Sequence, residues 1–260
     1  MKYPLVICVP HCASRIPDMV RPALALKDEE IEESVDIGTK EIFGALPAKR
    51  VLCADWSRLL VDLNRSAHER GPRGVISEVD YHGRNVYHPG LFPNEREIAE
   101  RLRKYYLPFH LRLKEALESP DIMGLCDCHS LNGIGPAEAP DPGKKRKDIV
   151  LGNNGDRHGN ENPALGRTTC PPESLHSIRE AFERAGFSVS LNYPYTGGFI
   201  TTHYGQEFAD KGKIAFQIEI NQDLYVERIS KQLVPERLED LKRKVSRAFE
   251  NWGQIFQFDI

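Results

Sequence analysis

Ile122-Met123-Gly124-Leu125-Cys126-Asp127-Cys128-His129 is a short apolar run that ends on a residue able to bind a proton or a metal. Four to eight apolar residues in a row suit a strand buried on both faces, the kind found in parallel sheets. Reading outward, the same design recurs. Tyr3 to Val9 is rich in β-branched residues and stops at Pro10-His11. Ile214 to Ile220 and Phe187 to Asn192 alternate or run apolar. Arg50 to Ala54, Leu59 to Leu63 and Asp148 to Leu151 read as shorter strands. Between them lie segments with helical spacing: Asp28 to Leu46, with Ile31, Val35, Ile42 and Leu46 on one face; Asn94 to Leu117, which Pro108 should break or kink; Pro171 to Ala185, with prolines at its start; and Val234 to Trp252. Strands interleaved with helices predict a layered α/β fold with a largely parallel sheet. Asn132 to Lys147 reads as a loop rich in Gly, Pro and charge. No linker or repeat divides the chain, so residues 1–260 read as one domain.

The bulk properties exclude several classes. The 260 residues carry a formal net charge of -3, with 40% hydrophobic and 28% charged residues. Nothing in that balance recruits nucleic acid or an anionic membrane. No apolar run approaches the ~20 residues that span a bilayer. The stretch from Leu5 to Pro10 is too short for the apolar core of a signal peptide, so a cytoplasmic location is the default expectation. The six cysteines then read as thiols rather than a disulfide framework. A monomer or small homo-oligomer is expected.

Candidate site residues share one address. His11 follows the first strand, His129 the Ile122 strand and Asn192 the Phe187 strand, while Glu219 lies near the end of the Ile214 strand. Ligands of open α/β sheets bind outside the carboxyl ends of the strands. Two imidazoles plus a carboxylate form the ligand set of many catalytic zinc sites, with a further position left for water. Asp36 is the candidate third ligand, giving His11, Asp36 and His129 around Zn2+ or another divalent transition metal. Asp127 shares a strand face with His129 and is placed to orient it. A closed structural site using Cys126, Cys128 and His129 is the competing arrangement, although no second Cys pair has zinc spacing. Glu219, a carboxylate inside an apolar strand, is the candidate general acid/base, since burial raises its pKa into a useful range. Arg65 is suited to clamp a substrate carboxylate or steady an oxyanion. Asn192, Tyr195, Gly197, Gly198 and His203 lie in or flank a glycine-paired loop that permits close approach to a ligand. Walker, dinucleotide-binding and serine-hydrolase motifs are absent.

Six short pieces in order carry a family resemblance: Pro10-His11-Cys12-Ala13-Ser14, Val35-Asp36-Ile37-Gly38-Thr39, Val61-Asp62-Leu63-Asn64-Arg65, Asp127-Cys128-His129-Ser130, Asn192-Tyr193-Pro194-Tyr195-Thr196-Gly197-Gly198 and Gln217-Ile218-Glu219-Ile220-Asn221. Together they resemble the N-formylglutamate amidohydrolase family. The resemblance implies a fold similar to zinc carboxypeptidases and amidases, three-layer α/β/α with a mostly parallel, mixed central sheet flanked by helices. It also implies a metal held by His11, an early carboxylate and His129, and Glu219 as base or acid. The wide gap from His11 to Asp36 looks more like the zinc amidases that cleave peptidoglycan. Family members commonly carry Arg after Glu-Ile-Asn, where this chain has Gln222. The implied reaction is hydrolysis of a small N-acyl amino acid, N-formyl-L-glutamate above all, to formate and L-glutamate. A related amidase for γ-glutamyl or cell-wall peptides and a non-catalytic zinc-stabilised binding protein are the other readings.

Overall fold

The computed structural model describes residues 2–137, 139–228 and 230–255. Six strands form one sheet in the order β2-β1-β3-β6-β4-β5: β1 (Tyr3–Val9), β2 (Ala48–Cys53), β3 (Gly124–Leu131), β4 (Ile149–Gly152), β5 (Val189–Leu191) and β6 (Ile214–Asn221). All neighbouring pairs are parallel except β4 against β6. The expected mixed, mostly parallel α/β fold is the one observed.

Alternation along the central strands explains both the core and the site. Leu5, Ile7, Cys126, Cys128, Phe216, Ile218 and Ile220 share one face and pack under α5 (Pro172–Arg184), α7 (Pro235–Ile255) and α2 (Thr39–Phe43). Leu175, Ile178, Ala181 and Phe182 on α5, and Leu238, Leu241, Val245, Ala248, Phe249 and Trp252 on α7, supply the facing stripes at helical spacing. The other face begins apolar, with Val6, Cys8, Leu125 and Ala215 against α4 (Leu107–Glu118) and α6 (Phe199–Ala209). Toward the carboxyl ends of β3 and β6 it turns polar, as Asp127-His129 and Gln217-Glu219. Cys126 and Cys128 thus point away from the His129 side, into the apolar layer, which rules out the closed Cys/His arrangement. All six cysteines are free thiols.

Three segments differ from expectation. The Asp28–Leu46 stretch is not one helix. It divides into α1 (Asp28–Glu32) and α2, with Gly38 between them at φ +76°, where a Cβ would stand 2.7 Å from the Tyr225 ring. A left-handed residue stops a helix, and glycine adopts it without strain. Leu59–Leu63 is a buried turn rather than a strand. The Leu60 and Val61 amides donate to Ser57 and the Asp62 amide to Val75, so no ladder forms although the side chains face the core. Third, the glycine-paired loop leads directly into α6, which begins at Phe199 just after Gly198. Pro108 causes no break. A wide π-turn, Leu102–Tyr106, joins α3 (Glu95–Arg101) to α4, and Pro108 falls in the first turn of α4. Among the described residues, no helix is long and apolar enough to cross a membrane.

Candidate metal centre and cleft

The parallel run of β1, β3 and β6 brings their carboxyl ends to one edge, and His129 on β3 stands in register beside Glu219 on β6. His11 lies just past the end of β1. The turn between α1 and α2 delivers Asp36, whose backbone amide donates to the His11 carbonyl at 2.9 Å. That one bond closes the long sequence gap between the two residues.

His11, Asp36 and His129 are each at least nine-tenths buried, and one ligand atom from each lies within 4.8 Å of the others. Each imidazole is braced from behind by a carboxylate. His11 Nε2 meets Asp62 Oδ1 at 2.7 Å, and His129 Nε2 meets Asp127 Oδ1 at 3.0 Å. Such a partner fixes ring orientation and leaves the other nitrogen for a metal. His129 Nδ1 is 3.0 Å and His11 Nδ1 is 3.6 Å from Asp36 Oδ2. His11 Nδ1 is buried and makes no hydrogen bond. A buried orphan nitrogen is costly unless something outside the protein meets it. The donor set, two neutral-capable imidazole nitrogens and one carboxylate, fits a divalent transition metal.

The electrostatics favour positive charge here. Burial disfavours the imidazolium of His129, yet Asp127 and Asp36 outweigh it and hold its pKa well above the usual value. Burial likewise opposes ionisation of Asp62, but Arg58 at 2.8 Å and His11 keep that carboxyl well below the ordinary range. Asp36 is lowered the same way by His11 and His129. A cation held by these groups would take the place of the shared proton. Glu219 behaves oppositely. Burial, with Asp36 and Asp127 adding and His129 and Arg146 opposing, pushes its pKa up to about 8.

A cleft of about 640 Å³ opens over these residues. Arg65, Tyr195, Gly197 and Gly198 line it, as expected from the sequence, with His11, Asp36, His129 and Glu219 at its floor. Arg65 Nε makes no hydrogen bond and lies 3.7 Å from Glu69. Arg84 is instead engaged by Asp80, Glu30 and Glu33, and Arg157 lies over the Tyr193 ring at 4.1 Å. Two candidates fall outside the lining. His203 is half-exposed on α6, stacked on Phe199 and 3.6 Å from Glu207. Asn192 is buried behind the loop, bonded to Asn153 and the Asp156 carbonyl. The physical reason for Asn192 is topological: β5 follows β4, which runs antiparallel to β6, so its carboxyl end does not share the edge of β1, β3 and β6.

Sequence reasoning passed over Arg58, Asp62, Asn64 and Gln217. Asn64 Oδ1 accepts from the Ile200 amide at 2.7 Å, and a Cβ on Gly198 would stand only 2.3 Å from its Nδ2. This close approach is why a glycine ends the loop. Gln217 accepts from the Gly198 amide at 2.7 Å and donates to Glu219 at 2.9 Å, linking the start of α6 to the acid. The signal for Gln217 was its place two residues before Glu219 on the same strand face. For Asp62 it was a carboxylate within an apolar run.

Sheet, edge and residues define an α/β protein with a carboxylate-braced His/Asp/His cluster beside a buried acid. A family model for N-formylglutamate amidohydrolase matches residues 3–226. The chain belongs to the N-formylglutamate amidohydrolase family. It is 27% identical over 240 residues to an N-formylglutamate deformylase of Pseudomonas putida, covering 87% of this chain and 83% of that one. It is 28% identical over 243 residues to the protein of that name from Pseudomonas aeruginosa, with the same coverage. The fold matches the crystal structure of an N-formylglutamate amidohydrolase from Ralstonia eutropha, with a TM-score of 0.74, 21% identity, and 97% and 95% of the two chains covered.

Proposed function

We propose that this protein is a metal-dependent amidohydrolase that cleaves N-formyl-L-glutamate to formate and L-glutamate, with residues 1–260 acting as one hydrolase domain. Family membership and the two deformylase relatives support the reaction class. The observation that carries the mechanism is the buried, unpartnered Nδ1 of His11 facing Asp36 and His129, with Glu219 alongside.

His11, Asp36 and His129 would hold zinc or a similar divalent metal, which when bound would supply polarisation of the amide carbonyl and a more acidic water. Glu219 receives the proton of the attacking water and passes it to the leaving nitrogen as the C–N bond breaks. Its raised pKa suits both halves of that task, and the Gln217 amide fixes the carboxyl's orientation. Arg65, at the cleft wall and 3.7 Å from Glu69, turns its guanidinium to a carboxylate of the substrate. Tyr195, Gly197 and Gly198 form the opposing wall. The test is formate release from N-formyl-L-glutamate by zinc-loaded protein. Formate at background, with other N-acyl amino acids hydrolysed, would move the substrate; no hydrolysis of any would remove the reading.

Asp62 and Asp127 orient the two imidazoles, so Asp62→Asn and Asp127→Asn are each expected to weaken zinc affinity by roughly 10–100-fold. Titration of metal-stripped protein against a competing chelator reads this directly, and unchanged affinity in both variants would contradict the bracing role.

A further inference from the structure

Tyr81 and Tyr195 stand 114 positions apart in sequence, line the same cleft, and meet through their hydroxyls. Each lies next to a braced ion pair. The Arg146 guanidinium lies 5.3 Å from the Tyr195 ring centre and 3.4 Å from its hydroxyl. Arg146 is in turn paired with Asp141 at 2.6 and 2.9 Å, both side chains being almost wholly buried. On the other wall Asp80 accepts from the amides of His82 and Arg84 at 2.9 and 2.8 Å and from Arg84 Nε at 2.6 Å. Arg84 continues to Glu33 at 2.8 Å. Each tyrosine is therefore presented from a base stapled by charge-assisted hydrogen bonds, and the two together form a fixed bar between the cleft walls.

The hydrolysis derived above uses neither hydroxyl of this bar at the reacting atoms. Burial raises the Tyr195 pKa, and Tyr81 raises it further, so this half of the bar stays neutral and does not repel an anionic ligand. What a bar restricts is length. Both rings line the cleft of about 640 Å³, and their hydroxyl contact spans it, so the pair sets how far a ligand extends past that point.

We infer that the Tyr81–Tyr195 pair determines specificity by closing the cleft across its width, admitting a single N-acylated amino acid and excluding the same residue extended by a peptide bond. This rests on the proposed function and names the substrate class of that same site. Selection then comes from a clash built against the longer ligand rather than from an added contact to the shorter one.

The experiment compares kcat/KM for N-formyl-L-glutamate with that for two extended forms, one carrying L-alanine on the α-carboxyl and one on the γ-carboxyl. It is run on zinc-loaded wild type, Tyr81→Ala and Tyr81→Phe. The expected result is that Tyr81→Ala reduces the preference for N-formyl-L-glutamate by at least about tenfold against one of the extended forms, the scale of a pocket-size change. Tyr81→Phe, which keeps the ring, retains the wild-type preference. A preference unchanged in Tyr81→Ala against both extended forms overturns the inference. If Tyr81→Ala fails to fold, Tyr195→Ala removes the same bar from the other wall and is judged by the same ratio. If the wild type releases formate from none of the three compounds, the functional reading itself fails and the specificity role falls with it.

Discussion

Replacing Glu219 with glutamine is expected to lower kcat/KM for N-formyl-L-glutamate by about 10²–10⁴-fold, the range of a positioned acid/base, while making the metal-free protein more stable at alkaline pH. The two effects have one cause. Glu219 is buried on β6 with a pKa pushed up to about 8, whereas the unfolded chain ionises this residue near the model-peptide value of 4.5. Between those limits the folded protein holds a proton that the unfolded chain has released. Stability therefore falls as pH rises from about 4.5 to 8 and stays depressed above it. Glutamine keeps the shape and removes the ionisation. Thermal melts of chelator-treated wild type and Glu219→Gln at pH 5 and pH 9 check this. The variant's advantage should be larger at pH 9. Equal differences at both pH values would show that burial of Glu219 costs no stability, and turnover surviving within a few-fold would show that it is not catalytic.

The second large effect is loss of the ion from His11→Ala. This position gives a cleaner test than His129. Removing His129 would leave Asp36 and Asp127 as buried carboxylates without their shared partner, a change of the kind that destabilises by about 3–5 kcal/mol. Removing His11 leaves Asp62 still held by Arg58 at 2.8 Å and by the Asn64 amide at 2.9 Å. His11 Nδ1 makes no hydrogen bond, and Asp36, 3.6 Å from it, keeps His129 Nδ1 at 3.0 Å. The variant should fold, yet bind zinc at background level where wild type holds about one per chain, as elemental analysis after dialysis would read. Zinc at about 1,000 times its Kd would add about 4 kcal/mol of stability to the wild type, and His11→Ala should forfeit most of the corresponding rise in Tm. A variant that keeps one zinc per chain would remove His11 from the ligand set.

The parts of this molecule legible in the sequence are those in which one local pattern meets no competing tertiary demand. β1, β3 and β6 are short apolar runs ending in polar residues, and they became the sheet centre and the site floor. α5 and α7 keep a regular apolar stripe and were read to within a few residues. Leu59–Leu63 misled because burial, not pairing, makes it apolar: a turn under the cleft wall can be as hydrophobic as a strand. Asp36 was recognised as a ligand candidate but set within one long helix. Its actual place is the turn before Gly38, where a positive φ and the distant Tyr225 ring both favour a residue without a Cβ. His203 drew attention as an imidazole beside a glycine pair, but the helix that starts after Gly198 turns it outward to Glu207. Arg146 and Tyr81 carried no local signal, because their roles depend on pairings with Asp141 and Tyr195 that only the folded chain creates.

The ligand cluster draws on the end of β1, the α1–α2 turn and the end of β3, with supporting carboxylates from the Leu59–Leu63 turn and from β3 itself. No contiguous fragment of the chain shorter than about half its length contains all five. A nascent or proteolytically trimmed chain therefore has only scattered weak donors, and high-affinity capture waits on assembly of the sheet's middle. On the proposed metal dependence, uptake of the ion would act as a late check on folding, and starvation for it would weaken the protein as a whole rather than fray one corner.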